Sequence, residues 1–279
     1  MPKGGFRIES RTDPCQDRRN GASYSSNGKV TSYQAFRRNV TSLYSPGTTA
    51  CGSPSPWMTL AYDGNGNILS QTQGTTTTNY TFDAENRLKT RSVSGGTVTN
   101  TYDGMGTLLK RTNADGTWTV YIGGIYEKTN AGVVTKYYSV YGRTIATRQI
   151  PTGGGSGTLS YLLADHLGTT TGVTNGAGTV LSSQKYWPYG ATRSGAITQT
   201  DKLYTGQQQE PGDALGLYNY KARFYSTVTG RFLSVDPVVG SAGDPQAWNP
   251  YSYARNKLDA AHGPDGRNVD GRRRRRRTV

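Results

Sequence analysis

Histidine and cysteine are scarce: the 279 residues hold two of each, His166 and His262, Cys15 and Cys51. Two histidines exclude a histidine-rich metal centre. The two cysteines lack Cys-x-x-Cys spacing and support at most one bridge, of the kind an exported protein keeps. No apolar run approaches the ~18–20 residues of a membrane-spanning helix. The start, Met1-Pro2-Lys3-Gly4-Gly5, carries a charge with no apolar core behind it, so it does not read as a signal peptide. The glycine-rich stretch Thr152 to Gly157 lacks the Gly-Lys-Ser/Thr ending of a phosphate loop. No Gly-x-Ser-x-Gly nucleophile elbow accompanies Asp165-His166, which read as a structural turn. Apolar residues are thin as well. The hydrophobic share is 33%, and counting Gly in place of Tyr lifts it only to about 39%, against roughly 45–50% for globular chains.

What is abundant is tyrosine, twenty against five phenylalanines. A tyrosine ring packs while its hydroxyl reaches water or a partner. That suits a sheet with one modestly packed face and one wet face, and a hollow shell or solenoid better than a thick core. The net charge is +14, of which Arg272 to Arg277 supply six, leaving +8 elsewhere. Those remaining charges are scattered along polar strands and read as a solvated sheet surface. The arginine run has no interleaved aromatics for base stacking, so any nucleic-acid affinity would be non-specific phosphate attraction.

The strongest signal is a repeat. Tyr62-Asp63-Gly64-Asn65-Gly66-Asn67, Tyr80-Thr81-Phe82-Asp83-Ala84-Glu85-Asn86 and Tyr102-Asp103-Gly104-Met105-Gly106 place an aromatic, an aspartate and a polar turn in register, with the aspartates twenty residues apart. A fixed period of that size means stacked supersecondary units. Runs such as Thr75 to Phe82 and Thr97 to Tyr102 favour pleated strands, and Gly74 or Gly95-Gly96 separates them. Each repeat therefore predicts a β-hairpin: strand, Asp/Asn/Gly turn, strand, Gly turn. The aspartate suits the bend because it bonds its own backbone two residues on. Asp63 to Asn67 alternates oxygen ligands as calcium loops do, but Gly74 stands where the closing glutamate belongs and Ile68 replaces the required glycine. No metal or cofactor is expected.

These repeats resemble the YD repeats of bacterial RHS proteins, relatives of teneurin shells and of insecticidal toxin-complex shell proteins. The resemblance continues through Tyr161 to Gly168 and is strongest at Gly216 to Tyr225 followed by Thr229-Gly230-Arg231-Phe232-Leu233-Ser234-Val235-Asp236-Pro237. That stretch is similar to the RHS repeat-associated core signature, extended by Asn249 to Asn256, and coverage runs from roughly 58 to 267. The implied fold is all-β, stacked antiparallel β-hairpins forming part of a spiral β-shell. Organisation follows: an irregular or degenerate leading segment over 1–56, a YD-repeat sheet over 57–202, a core domain over 203–267 and an Arg-rich tail over 268–279. Short strands are expected at 32–36 and 41–44, and a weak helix at 246–255.

The resemblance also implies a chemistry. In such shells the core domain is linked to self-cleavage by paired aspartates, one acting as base on a water and the other as acid to the scissile carbonyl. Val235-Asp236-Pro237 matches the first element, but the second reads Gly263-Pro264-Asp265-Gly266, with Gly263 where the first aspartate belongs. Asp236 and Asp265 are therefore the candidate catalytic residues of a vestigial self-cleavage site. The bland reading of Asp236 is a turn residue before proline. The implied function is structural: a shell segment of a polymorphic toxin or cell-surface protein, an orphan or truncated copy without a toxin domain. Its partner would be an enclosed toxin polypeptide, and its location secreted or at the cell surface. The alternative is a cell-surface module binding a glycan or protein through Trp118 and Trp187. A nucleic-acid-binding protein is the third reading.

Overall fold

The computed structural model of the chain describes residues 42–43, 58–210, 212–213, 215–237 and 248–254. Its contacts divide it into two units, Met1–Tyr80 and Thr81–Val279. In the first, β1 (Ser42–Leu43), β2 (Met58–Tyr62), β3 (Ile68–Gln73) and β4 (Thr76–Phe82) pair antiparallel in chain order. Met58, Leu60, Ile68 and Tyr80 turn to the buried face, while Thr59 and Leu69 between them are exposed. That period of two is what threonine-rich strands around few apolar residues dictate.

The second unit is a hairpin meander of the same kind. β5 (Leu88–Val93), β6 (Gly96–Tyr102), β7 (Leu108–Thr112), β8 (Trp118–Ile122), β9 (Tyr126–Thr129) and β10 (Val134–Val140) follow one another, each antiparallel to the next. β11 (Arg143–Ile150), β12 (Thr158–Ala164), β13 (Thr170–Thr174), β14 (Val180–Tyr186) and β15 (Thr192–Ala196) extend it without a crossover. A separate antiparallel sheet of four short strands follows: β16 (Gln208–Gln209), β17 (Leu217–Asn219), β18 (Phe224–Ser226) and β19 (Arg231–Phe232). The protein is thus all-β, as the repeats predict.

One turn recurs. Asp63, Asp83, Asp103 and Asp165 each donate the backbone N–H to the carbonyl four residues on, and accept from the N–H three residues on. Each carboxylate Oδ1 also takes the N–H groups two and four residues ahead, at 2.7–3.1 Å. Asn175 does the same with its amide oxygen. The fourth residue of the turn must enter the left-handed region, and it is Gly66, Gly106, Gly168 or Gly178 at φ 80–86°. The exception is Asn86 at φ 60°, the side chain that best tolerates that conformation. In the first of these turns Asp63 Oδ2 also accepts from Asn67 Nδ2 at 2.8 Å.

The core differs from a thin wall. Leu203, Tyr204, Tyr218, Tyr220, Tyr225, Phe232 and Tyr253 are buried together with Leu162, Val173 and Ile197. Ring pairs such as Tyr225–Tyr253 at 4.4 Å and Tyr220–Phe232 at 5.8 Å fill this region, each worth about 0.5–1.5 kcal/mol beyond area burial. The aromatic residues that the sequence assigns to half-wet sheet faces are here condensed into one dense core. The helix expected over 246–255 does not run through its described part: Trp248 and Ala254 are 3-10 in geometry, and between them lie turns and one bridge, Ser252 to Arg231. The expected strand at 32–36 and the tail lie outside the described residues.

Candidate functional site

Asp236 sits where the chain leaves β19. Its backbone N–H donates to the Pro250 carbonyl at 3.0 Å. Arg223, at the turn between β17 and β18, donates Nη2–H to Asp236 Oδ2 at 2.8 Å and Nη1–H to the same Pro250 carbonyl at 2.8 Å. The guanidinium lies 3.8 Å over the Phe232 ring. Both side chains are nearly sealed, 1% exposed for Arg223 and 2% for Asp236. Asp236 is one half of a buried, hydrogen-bonded ion pair that ties three segments together. Around it, Tyr220 OH donates to Tyr253 OH at 2.9 Å and shares a 2.6 Å bond with Thr205 Oγ1. Burial drives the Tyr220 and Tyr225 hydroxyls well above the ordinary phenol range, so both stay neutral.

The described residues bring Asp236 together with Arg223. Asp265, Gly263 and the arginine run lie outside them, as do both cysteines and His262. Arg223 is a residue that reading for paired carboxylates passes over. Its signal was present: an arginine amid Tyr218, Tyr220, Phe224 and Tyr225 has to bring a counter-charge if that run is buried.

Two further clusters escaped the sequence reading, because charges on strands pass for solvent-facing ones. Arg91 on β5 donates Nη2–H to Glu210 Oε2 at 3.0 Å, and Arg111 Nη1 on β7 lies 3.3 Å from the same oxygen. Asp213 Oδ2 stands 3.6 Å from Arg91 Nη1. Arg91, Glu210 and Asp213 side chains are 0–1% exposed. These groups fasten the segment before β17 to the buried face of the long sheet. Nearby, Tyr137 OH donates to Asp201 Oδ1 at 3.1 Å and Gln208 Nε2 to Asp201 Oδ2 at 2.8 Å. Lys202 Nζ sits 3.8 Å over the Tyr137 ring and donates to the Gly124 carbonyl. Burial first, and then the Asp201 charge, push the Glu127 carboxyl up to about 8. Burial likewise lowers Lys202.

Of the two tryptophans, Trp187 is 46% exposed with the Arg193 guanidinium 5.1 Å over its ring, while Trp118 is half-buried under Lys110 at 5.2 Å.

Several known proteins are similar to the chain. The chain is 30% identical over 219 residues to the tRNA3(Ser)-specific nuclease WapA of Bacillus spizizenii, covering 74% of this chain and 9% of that protein. It is 34% identical over 112 residues to toxin subunit YenC1 of Yersinia entomophaga, covering 39% of this chain and 11% of the subunit. The crystal structure of TcdB2-TccC3 superposes with a TM-score of 0.55 at 19% identity, over 75% of this chain and 13% of that one. No family model matches. The chain therefore shares its fold with a toxin-complex component and spans about a tenth of the length of the curated relatives it matches. Its similarity is to toxin subunits, nucleases and a salivary gland surface protein, and the toxin subunits support a toxin-related structural role in the broad sense.

Proposed function

We propose that the chain is a wall segment of an RHS-type shell, a run of YD-repeat hairpins ending in an RHS core domain, which serves to enclose and deliver a toxin polypeptide. One observation carries this: regularly repeated aspartate turns and, later in the chain, an aromatic four-stranded sheet held by Arg223 and Asp236, in the order the resemblance implies. On this reading the chain acts outside the cell or on its surface. Sequencing the DNA on both sides tests it. Further Tyr-Asp repeats upstream and a displaced toxin reading frame downstream are expected. Unrelated genes on both flanks would mark an isolated copy, whereas a circular dichroism spectrum dominated by helix would refute the shell assignment.

Self-cleavage is a vestige in this reading. The mechanism uses paired carboxylates, and Gly263 supplies none, so the purified chain is expected to stay intact. Restoring the acid by Gly263→Asp should allow cleavage near Gly266-Arg267, and Asp236→Asn should block it. Cleavage of the unmodified chain, abolished by Asp236→Asn, would instead make Asp236 and Asp265 a working pair.

The exposed Trp187 favours a second reading, a surface module that binds a glycan or protein. Specific signal on a glycan array, lost in Trp187→Ala or Trp118→Ala, would place it first. A nucleic-acid role requires binding that survives both high salt and removal of Arg272 to Arg277.

A further inference from the structure

The segment that follows β15 lies against the buried face of β5 to β10, and charged side chains collect at the joint. Arg91, Arg111 and Lys202 bring three positive charges, set against the four carboxyl groups of Glu127, Asp201, Glu210 and Asp213. The two arginines answer Glu210 and Asp213. Glu127 and Asp201 are left to share Lys202, whose Nζ is turned to the Gly124 carbonyl and the Tyr137 ring. One carboxyl is in excess. An unbalanced charge away from water is costly, and the group takes a proton instead.

The bonding around Tyr137 shows which carboxyl holds that proton. Burial raises the Tyr137 hydroxyl far above the phenol range, so it keeps its single hydrogen. It donates that hydrogen to Asp201 Oδ1 at 3.1 Å, and Gln208 Nε2 donates to Asp201 Oδ2 at 2.8 Å. Asp201 thus meets donors on both oxygens and is the ionised partner. Glu127 also hydrogen-bonds the Tyr137 hydroxyl. With its hydrogen committed to Asp201, that hydroxyl meets Glu127 only as an acceptor, so Glu127 supplies the proton. Burial first, and then the Asp201 charge, raise Glu127 to about 8. Of the other groups facing it, Lys202 and Arg111 favour its charged form, and Tyr121, its partner across β8 and β9, is a neutral buried phenol. Lys128 and Lys136 on the same strands are exposed.

Asp201 ends this chain of donors and begins the segment that leads from the long sheet to the four-stranded one. Its carbonyl accepts from Gln209 N–H at 2.8 Å. The Lys202 carbonyl accepts from Thr170 Oγ1 at 2.7 Å, and the Leu203 carbonyl from Thr170 N–H at 3.0 Å. When Glu127 ionises, two carboxylates face one hydroxyl hydrogen. One of them is left against a lone pair, and the like charges push the segment away from β9. Lys202 works in the other direction. Burial lowers it, and a lysine whose folded value is lowered makes the fold more stable as pH rises. The loosening therefore belongs to Glu127.

We propose that this joint is a proton-operated latch: protonated Glu127 holds the segment 200–209 on β9 and β10, and its ionisation frees that segment while both sheets stay folded. The latch goes beyond the shell assignment and does not depend on it. Hydrogen exchange of the full chain, corrected for the intrinsic effect of pH on exchange, is the test. The amides of Gln209 and Thr170 read the latch, and those of β11 and β12 read the sheet. The closed form holds one proton that the open form releases. The opening constant of the latch should therefore rise roughly tenfold per pH unit above the ordinary carboxyl range. It should level off near pH 8, where the closed form loses the same proton. Glu127→Gln sets an amide N–H where the acid proton was, and should keep the latch closed with no dependence on pH. Asp201→Asn removes the like charge, so the rise should level off at lower pH. Lys202→Met should keep the rise. A latch as protected at about pH 9 as at about pH 5, or a rise that survives Glu127→Gln, overturns the proposal. So does an opening in which β11 and β12 lose protection in step with Gln209, which is unfolding of the whole unit. If Glu127→Gln does not fold, the profiles of the parent and of Asp201→Asn decide.

Discussion

Replacing Glu210 with glutamine keeps its shape and removes one charge from a sealed cluster. Glu210 Oε2 accepts from Arg91 Nη2 at 3.0 Å and lies 3.3 Å from Arg111 Nη1. After Glu210→Gln, two guanidiniums share one carboxylate, Asp213, which is 3.6 Å from Arg91. Water cannot compensate, since the Arg91 side chain is 1% exposed and Arg111 9%. Breaking a buried pair from one side costs about 3–5 kcal/mol, because the surviving charge stays buried. For a unit of this size that lowers the melting midpoint by roughly 6–20 °C. Urea unfolding followed by circular dichroism gives the free energy. Hydrogen exchange gives the place: amides of β16 and β17 should lose protection ahead of β5 to β7. The matched control removes every charge at once, as Arg91→Met, Arg111→Met, Glu210→Met and Asp213→Asn. It should come within about 1 kcal/mol of the parent or exceed it, since apolar replacements of buried ion clusters are often neutral or stabilising. A loss under about 0.5 kcal/mol for Glu210→Gln, the range of an ordinary surface change, would refute the reasoning. It would mean that the arginines reach solvent or that the cluster opens without resistance.

Other expectations follow from the same geometry. Glu127 has a folded pKa raised to about 8 from an ordinary 4.5, so its contribution is fully present below 4.5 and is lost as pH rises through about 8. Thermal midpoints measured from mildly acid to mildly alkaline pH should fall, and Glu127→Gln should flatten that part of the slope; an unchanged slope would exclude Glu127 as its source. Asp236→Asn strands Arg223 beneath Phe232 and should cost about 3 kcal/mol or more in chemical unfolding, whereas a surface-turn aspartate would cost about 1. Asp83→Ala removes the acceptor for two backbone N–H groups and for Arg87 Nε at 2.7 Å, a loss of about 1–3 kcal/mol that the same unfolding curves would read. Gly190→Ala would set a methyl 2.5 Å from the Tyr204 ring at a φ of +89°, so a drop of about 2–4 kcal/mol is expected; a mild effect would show that the ring has room to move.

The meander was legible because its information is local. A turn aspartate bonds backbone within four residues, a glycine three positions on supplies the left-handed step, and threonine-rich runs have one economical conformation. Asp63, Asp83 and Asp103 at a fixed spacing therefore specify equivalent turns with no knowledge of the rest of the chain. The same chemistry extends the turn to Asp165 and Asn175, whose segments match the repeat poorly by eye yet make the same bonds. The aromatic richness of 217–232 was visible too, though not its consequence.

What the sequence alone left open is which charges go inside. Arg91 and Lys89 lie on one strand two residues apart, yet Arg91 is sealed and Lys89 is exposed. Position in the repeat separates them, since Leu69 and Gln71, and Leu109 and Arg111, differ in the same way. What the strand does not name is the counter-charge that lets an arginine occupy the sealed position, Glu210, 119 residues away. Asp236 and Arg223 are alike in this: a proline-flanked aspartate has the composition of a surface turn, and only the approach of β17, β18 and the 249–253 segment buries it against a guanidinium. Alternation along a strand names two faces, and local bonds close the turns. Which face is dry depends on what packs against it from far along the chain, so the wall was written in the sequence and its buried charges were decided by the tertiary fold.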